Sequence, residues 1–176
     1  ALGTSVYGAW LNERGGIEAD LTVTRTGETK FFVVTSAATQ TRDFDWLTKN
    51  LPANGSVMAT DVTSAYTALA VMGPNSRTFL QSVTDSDLSN EAFPFGTSQQ
   101  IEIGYATATA LRMTYVGELG WELYVPSEFA AHVFETLTTA EVVHDVKLAG
   151  YHALDSLRLE KGYRHWGHDI TDEDTP

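Results

Sequence analysis

Two carboxylates stand where a carboxylate is out of place. Asp20 falls inside Ile17 to Thr24, a run of alternating apolar and polar residues, and aspartate is depleted from strands. Glu122 lies in Gly120-Trp121-Glu122-Leu123-Tyr124, among bulky rings. A carboxylate with such neighbours is partly buried and must be paired or hydrogen-bonded. A flat heterocycle with an amino group beside a ring N–H would meet that need, because a carboxylate accepts two parallel bonds. Tyr115 and Trp121 are expected to lay aromatic surface beside such a ring. The ordinary readings are Asp20 solvated on the polar face of its strand and Glu122 paired with an arginine. Composition alone favours these.

Other chemistries are weaker. His165 and His168 are three residues apart, with Asp169 adjacent. On a helix they would share a face, and with a carboxylate they could ligate a metal. Gly162 and Gly167 weaken a helix there, and no distant third ligand declares itself, so no metal site is expected. Gly15-Gly16 and Gly117/Gly120 give neither G-x-G-x-x-G nor a phosphate loop with its lysine, and no nucleotide site is expected. There is no G-x-S-x-G elbow. Asn54-Gly55-Ser56 matches a glycosylation acceptor but reads as a turn. The chain has no cysteine, which excludes disulfides, thiol catalysis and cysteine-ligated zinc and fits a reducing compartment.

The elements that must position these groups follow from periodicity. Val6 to Leu11 reads as a strand, Ile17 to Thr24 as a half-buried strand of period two, and Phe31 to Val34 as its hairpin partner. Phe44, Leu47 and Leu51 at helical spacing predict an amphipathic helix over about 37–49. Strands are expected near 57–61 and 66–72. Pro74 suits the first position of a short helix carrying Arg77, Phe79 and Leu80. Residues 84–96 read as a loop and as the best place for a lobe boundary. Strands are expected near 98–104, 107–115 and 121–125. Ser127 is expected to cap a helix whose Ala130, Val133, Phe134 and Leu137 form one stripe, and a last helix spans roughly 149–161. Hairpin turns favour antiparallel pairing, so the fold class is α+β, with largely antiparallel sheets and packed helices.

The net charge of −12 argues against a nucleic-acid partner, which demands a basic face, and against docking on an anionic membrane. No apolar run reaches the ~18 residues of a spanning helix. The chain opens without methionine and ends in an acidic stretch, and is expected to be part of a longer protein.

Four segments, read together, carry a family resemblance. Leu11-Asn12-Glu13-Arg14-Gly15-Gly16-Ile17-Glu18-Ala19-Asp20-Leu21 resembles the "LNExGGIxxDL" segment of the glycine-cleavage aminomethyltransferase (T-protein) family. Val71-Met72-Gly73-Pro74-Asn75-Ser76-Arg77 resembles its "xxGPxAR" turn. Tyr115-Val116-Gly117-Glu118-Leu119-Gly120-Trp121-Glu122 resembles "YTGExGFE". Leu154-Asp155-Ser156-Leu157-Arg158-Leu159-Glu160 resembles "xRDxLRLE". The four occur in the family's order and span nearly the whole chain. Lys161-Gly162-Tyr163-Arg164-His165-Trp166-Gly167-His168-Asp169-Ile170 narrows the resemblance to the folate domain of sarcosine and dimethylglycine dehydrogenases and oxidases.

The resemblance implies a three-lobed α+β body that binds tetrahydrofolate centrally. Residues 1–176 would be its folate-binding fragment, lacking the N-terminal portion and the C-terminal β-barrel lobe. FAD would belong only to an absent N-terminal half. Asp20 matches the family's catalytic aspartate, with Ala19 in place of the other acid of its usual pair. Tyr7 stands thirteen residues earlier, at the spacing of a folate-contacting tyrosine. Val34 matches an apolar contact, Tyr115 and Glu122 the pterin-side tyrosine and glutamate. Arg158 matches the arginine of the "LRLE" helix, as a cofactor contact or as a structural partner of Asp155. The family's basic residues for the folate tail have no obvious counterparts here.

The implied activity is capture of a methylene or formaldehyde unit from a methylated amine by tetrahydrofolate, giving 5,10-methylenetetrahydrofolate. The implied partners are folate, the amine and the rest of the parent chain. The implied location is cytoplasmic in a bacterium or the mitochondrial matrix in a eukaryote. The alternative is a non-catalytic folate-binding maintenance module of the same fold. Its "KGCYxGQE" hallmark is not matched by Lys161-Gly162-Tyr163-Arg164.

Overall fold

The computed structural model describes residues 1–144 and 146–176, the side chains of 141–144 excepted. Two antiparallel sheets form its frame. The first has strands β1 (Ser5–Leu11), β2 (Ile17–Arg25) and β3 (Phe31–Val34) in that order. The second contains β4 (Tyr66–Met72), β5 (Ser98–Ile103), β6 (Ala106–Leu111) and β7 (Gly120–Pro126), in the order β4-β7-β6-β5. Helices α1 (Gln40–Lys49), α2 (Ser76–Gln81), α3 (Ala130–His144) and α4 (Tyr151–Glu160) intersperse the strands. The architecture is α+β, as the hairpin turns require.

The core lies on one face of the second sheet. Trp121, Leu123 and Val125 of β7 alternate inward to meet Phe79 and Leu80 of α2 and Val133 and Leu137 of α3. The loop 84–96 contributes Leu88 and Phe93 to the same cluster. The sheets are tied where β1 begins: the Ser5 N–H donates to the Gly96 carbonyl at 2.8 Å and the Ser98 N–H to the Gly3 carbonyl at 2.7 Å.

Several local expectations are corrected. Residues 57–61 are not a strand. Val57 and Met58 stand exposed there, and β4 takes β7 as its neighbour instead. The buried residue of α1 is Asp43, 2% exposed, rather than the apolar set Phe44, Leu47 and Leu51. Asp43 accepts from the Thr39 hydroxyl at 2.6 Å and has Arg42 beside it. Pro74 lies before α2: the Ser76 N–H donates to the Gly73 carbonyl, placing Pro74 at the second position of a turn, where its fixed φ is equally suited. Ser127 does not cap α3; its hydroxyl donates to the Ser64 carbonyl at 2.8 Å. Of the α3 stripe, Val133 and Leu137 are buried while Phe134 is exposed.

The C-terminal segment folds back on the first hairpin. The Trp166 indole Nε1–H donates to the Ile17 carbonyl at 2.7 Å, and the Ile17 N–H donates to the Asp174 carbonyl at 3.0 Å. Only glycine fits at the crossing, because a Cβ on Gly16 would stand 2.0 Å from the Asp172 carbonyl oxygen. Gly16→Ala is therefore expected to displace this segment, at a cost of about 1–3 kcal/mol. Hydrogen exchange checks it: the Ile17 amide should lose protection while the β5–β6 hairpin keeps its own.

Candidate functional site

The register of the first sheet places most of the candidates on one surface. Tyr7 lies opposite Thr22, Ala9 opposite Asp20, and Thr22 opposite Val34. Directly opposed residues share a face, so Tyr7, Asp20, Thr22 and Val34 project together, with Phe32 two residues from Val34 on the same side. Ile17, Ala19 and Leu21 alternate to the other face and are buried, which leaves Asp20 on the open one. The Tyr7 hydroxyl donates to Asp20 Oδ2 at 2.9 Å. Its own ionisation is pushed well up, first by burial of the hydroxyl, then by the charge and hydrogen bond of Asp20. Tyr7 is thus a donor at any physiological pH, although 56% of the residue is exposed.

The second sheet turns a matching face toward this one. Glu122 and Tyr124 alternate away from the core on β7, beside Ala70 and Ala68 of β4. Those two alanines are exposed, so the surface next to Glu122 is small and open. Phe32 bridges the sheets by meeting the rings of Tyr66 and Tyr124 edge-on, at 5.6 and 5.2 Å between centroids. Glu122 has no arginine partner among the described residues. Instead the Tyr124 hydroxyl donates to Oε2 at 2.6 Å, and Oε1 receives no bond from them. Burial pushes the Glu122 carboxyl up, and the tyrosine bond opposes that rise. Trp121 supplies no aromatic wall here. It is 0% exposed and points to the opposite face of β7, against Phe93 and below the guanidinium groups of Arg77 and Arg112.

Tyr115, in the turn between β6 and β7, completes the set. Its hydroxyl donates to the Arg164 carbonyl at 3.2 Å, and its ring stacks on Tyr163. Burial raises its ionisation, and the charges of Arg158 and Asp20 also act on it, so it lies within electrostatic reach of both. Arg158 is 5% exposed, and its Nε and Nη1 donors are engaged. It donates to Asp155 at 3.1 Å, to the Tyr163 carbonyl at 3.1 Å, and to Asp169. It anchors the segment on which Tyr115 leans, and the Asp155 partnership expected from the sequence is present. His165 and His168 pack ring to ring at 4.4 Å, and Asp169 accepts from the His165 backbone N–H at 2.9 Å. Among the described residues, no three His, Cys, Asp or Glu groups gather as a metal site.

Tyr7, Asp20, Val34 and Glu122 are therefore brought onto two adjoining strand faces, with Tyr115 near them and Arg158 behind. Two shallow concavities, one lined by Arg77, Gln81 and Asp87 and the other by Arg14, Asp172 and Glu173, carry none of these residues. The arrangement offers two carboxylates, each holding a tyrosine hydroxyl on one oxygen, separated by apolar and aromatic surface. It suits a flat ligand that presents N–H donors to a carboxylate. Sequence reasoning misses Tyr124 and Phe32 at this site. The signal for Tyr124 was the period of two on β7, which puts residues 122 and 124 on one side.

No helix among the described residues is long and apolar enough to cross a membrane. The chain is 44% identical over 172 residues to 4-methylaminobutanoate oxidase (formaldehyde-forming) of Paenarthrobacter nicotinovorans, covering 98% of this chain and 21% of that protein. It is 38% identical to mitochondrial sarcosine dehydrogenase of Mus musculus, covering 99% of this chain and 20% of that one. The chain thus spans about a fifth of the length of these relatives. Among solved structures, glycine cleavage system aminomethyltransferase T from Bartonella henselae superposes with a TM-score of 0.82 at 32% identity, covering 100% of this chain and 45% of that one. The "GCVT N-terminal domain" family matches residues 1–176. On that match over the whole chain, with the same fold in the solved aminomethyltransferase, the chain belongs to the aminomethyltransferase family whose N-terminal domain that model describes.

Proposed function

We propose that this domain binds tetrahydrofolate and serves one-carbon transfer in a flavin-dependent oxidase or dehydrogenase of methylated amines. The observation that carries the reading is the pairing of two tyrosine-buttressed carboxylates, Asp20 and Glu122, across the adjoining sheets. Tetrahydrofolate supplies a nucleophilic nitrogen that takes up an amine-derived methylene unit, giving 5,10-methylenetetrahydrofolate. Glu122 fits the pterin end, since its free oxygen and its tyrosine-bound one present acceptors to an amino group and a ring N–H. Phe32, Val34 and Tyr115 offer the flanking apolar and aromatic surface. Asp20 faces the reacting nitrogen, where a carboxylate stabilises developing positive charge and takes a proton. Tyr7 holds that carboxylate in one orientation. Arg158 acts at a distance, by fixing the segment beneath Tyr115. FAD has no glycine-rich fingerprint to bind in these 176 residues and belongs to another part of the protein. Bacterial and mitochondrial relatives support the bacterial cytoplasm or the mitochondrial matrix as its place of work.

Anaerobic titration calorimetry with tetrahydrofolate tests the reading. Glu122→Gln keeps the shape but turns one acceptor into a donor that opposes the ligand's N–H. Binding should weaken at least about tenfold, or about 1.4 kcal/mol. Unchanged affinity in the intact protein would remove Glu122 from the site.

A further inference from the structure

We propose that Tyr124 is a positioning residue for folate binding: its hydroxyl, fixed on Glu122 Oε2, keeps Glu122 an ionised acceptor with Oε1 left for the ligand. The inference rests on the folate reading of the Glu122 face.

Tyr124 is built for this. Its ring is 6% exposed and is held edge-on by Phe32 at 5.2 Å, so the hydroxyl has little freedom. It sits two residues from Glu122 on one strand, and the bond between them is 2.6 Å, in the range of a charge-assisted hydrogen bond. The ionisation of Tyr124 itself is driven up by burial and by the Glu122 charge, so it remains a donor.

The state of Glu122 decides whether the ligand fits. An ionised carboxylate accepts two parallel N–H bonds, whereas a protonated one offers a hydroxyl where an acceptor is needed. Burial favours the protonated form, and the Tyr124 bond favours the ionised form. Directly opposite Glu122 stand Ala70 on β4 and Leu111 on β6, and Tyr124 beside it is flanked by Ala68 on β4, Thr109 on β6 and Phe32 on β3. None of these is charged at neutral pH, so Tyr124 is the polar control on the carboxylate.

The experiment is the pH profile of tetrahydrofolate affinity in the intact protein, for wild type, Tyr124→Phe, Glu122→Gln and the double variant, with folding followed by circular dichroism. Binding should fall on the acid side as Glu122 protonates. Tyr124→Phe removes the influence that opposes protonation, so this limb should move to higher pH. Above the limb its affinity should fall less than about threefold, because the acceptor itself remains. In the Glu122→Gln background, Tyr124→Phe should change nothing further. A weakened Glu122→Gln together with an unmoved limb in Tyr124→Phe overturns the role of Tyr124 and leaves the folate site standing. A Glu122→Gln variant that binds like wild type overturns both. If Tyr124→Phe does not fold, 3-fluorotyrosine placed at 124 takes over: its more acidic hydroxyl must move the limb to lower pH, and movement the other way sinks the proposal.

Discussion

Replacing Asp20 by asparagine should slow one-carbon transfer about a hundredfold to a thousandfold while changing tetrahydrofolate affinity by less than about threefold. Asparagine fills the same space, and its carbonyl still accepts from the Tyr7 hydroxyl, so the strand face is preserved. In the proposed reaction the substitution removes the negative charge that would face the reacting nitrogen and the group that would take its proton. Ala19 lies on the buried face of β2 and brings no second carboxylate, so nothing beside Asp20 compensates. Single-turnover transfer in the intact protein, set against equilibrium binding, separates the two quantities. Transfer at the wild-type rate would assign Asp20 to the architecture alone.

The largest stability effect should come from Trp121→Ala. Trp121 is fully buried at the centre of the second sheet, packed edge-on against Phe93, with the guanidinium groups of Arg77 and Arg112 over its ring at 5.7 Å each. Truncation removes the ring from a cluster that includes Phe79, Leu88 and Leu123 and leaves a cavity, at a cost of about 3–5 kcal/mol. For a chain of this size the melting temperature should drop on the order of 10 °C. Urea unfolding provides the measurement, and a loss below about 1 kcal/mol would mean that the ring is not packed as described. Folate affinity in the surviving folded protein should weaken as well, because β7 carries Glu122 on its other side.

The strands around the site were legible because their alternation is regular. Ile17, Ala19 and Leu21 inward with Asp20 outward is the β2 pattern, and it assigns the face of the candidate aspartate from the sequence alone. The same rule, applied to β7, overrides the expectation of Trp121 as a ring wall, because residues adjacent on a strand point to opposite faces and Trp121 therefore turns away from Glu122 into the core. The strand expected at 57–61 failed for a different reason. A strand needs a face to bury, and Val57 and Met58 have none, standing exposed although β4 keeps one edge open. Asp43 as the buried residue of α1 was invisible to an apolar pattern, since its burial depends on the Thr39 hydroxyl and on Arg42 being in place. The closeness of Tyr115 to Asp20 belongs to the tertiary packing of a turn against a hairpin, which spacing alone does not encode.

The return of Trp166 to the Ile17 carbonyl also sets an order of assembly during synthesis. The brace on β2 comes from a residue 149 positions later in the chain. At ordinary translation speeds, the strand bearing Asp20 leaves the ribosome roughly 7–30 seconds before its brace exists. The β5–β6 hairpin closes through a two-residue turn and needs no such wait. The nascent second sheet should therefore gain protection first, and the aspartate should be locked into place only as the last helix and its tail emerge.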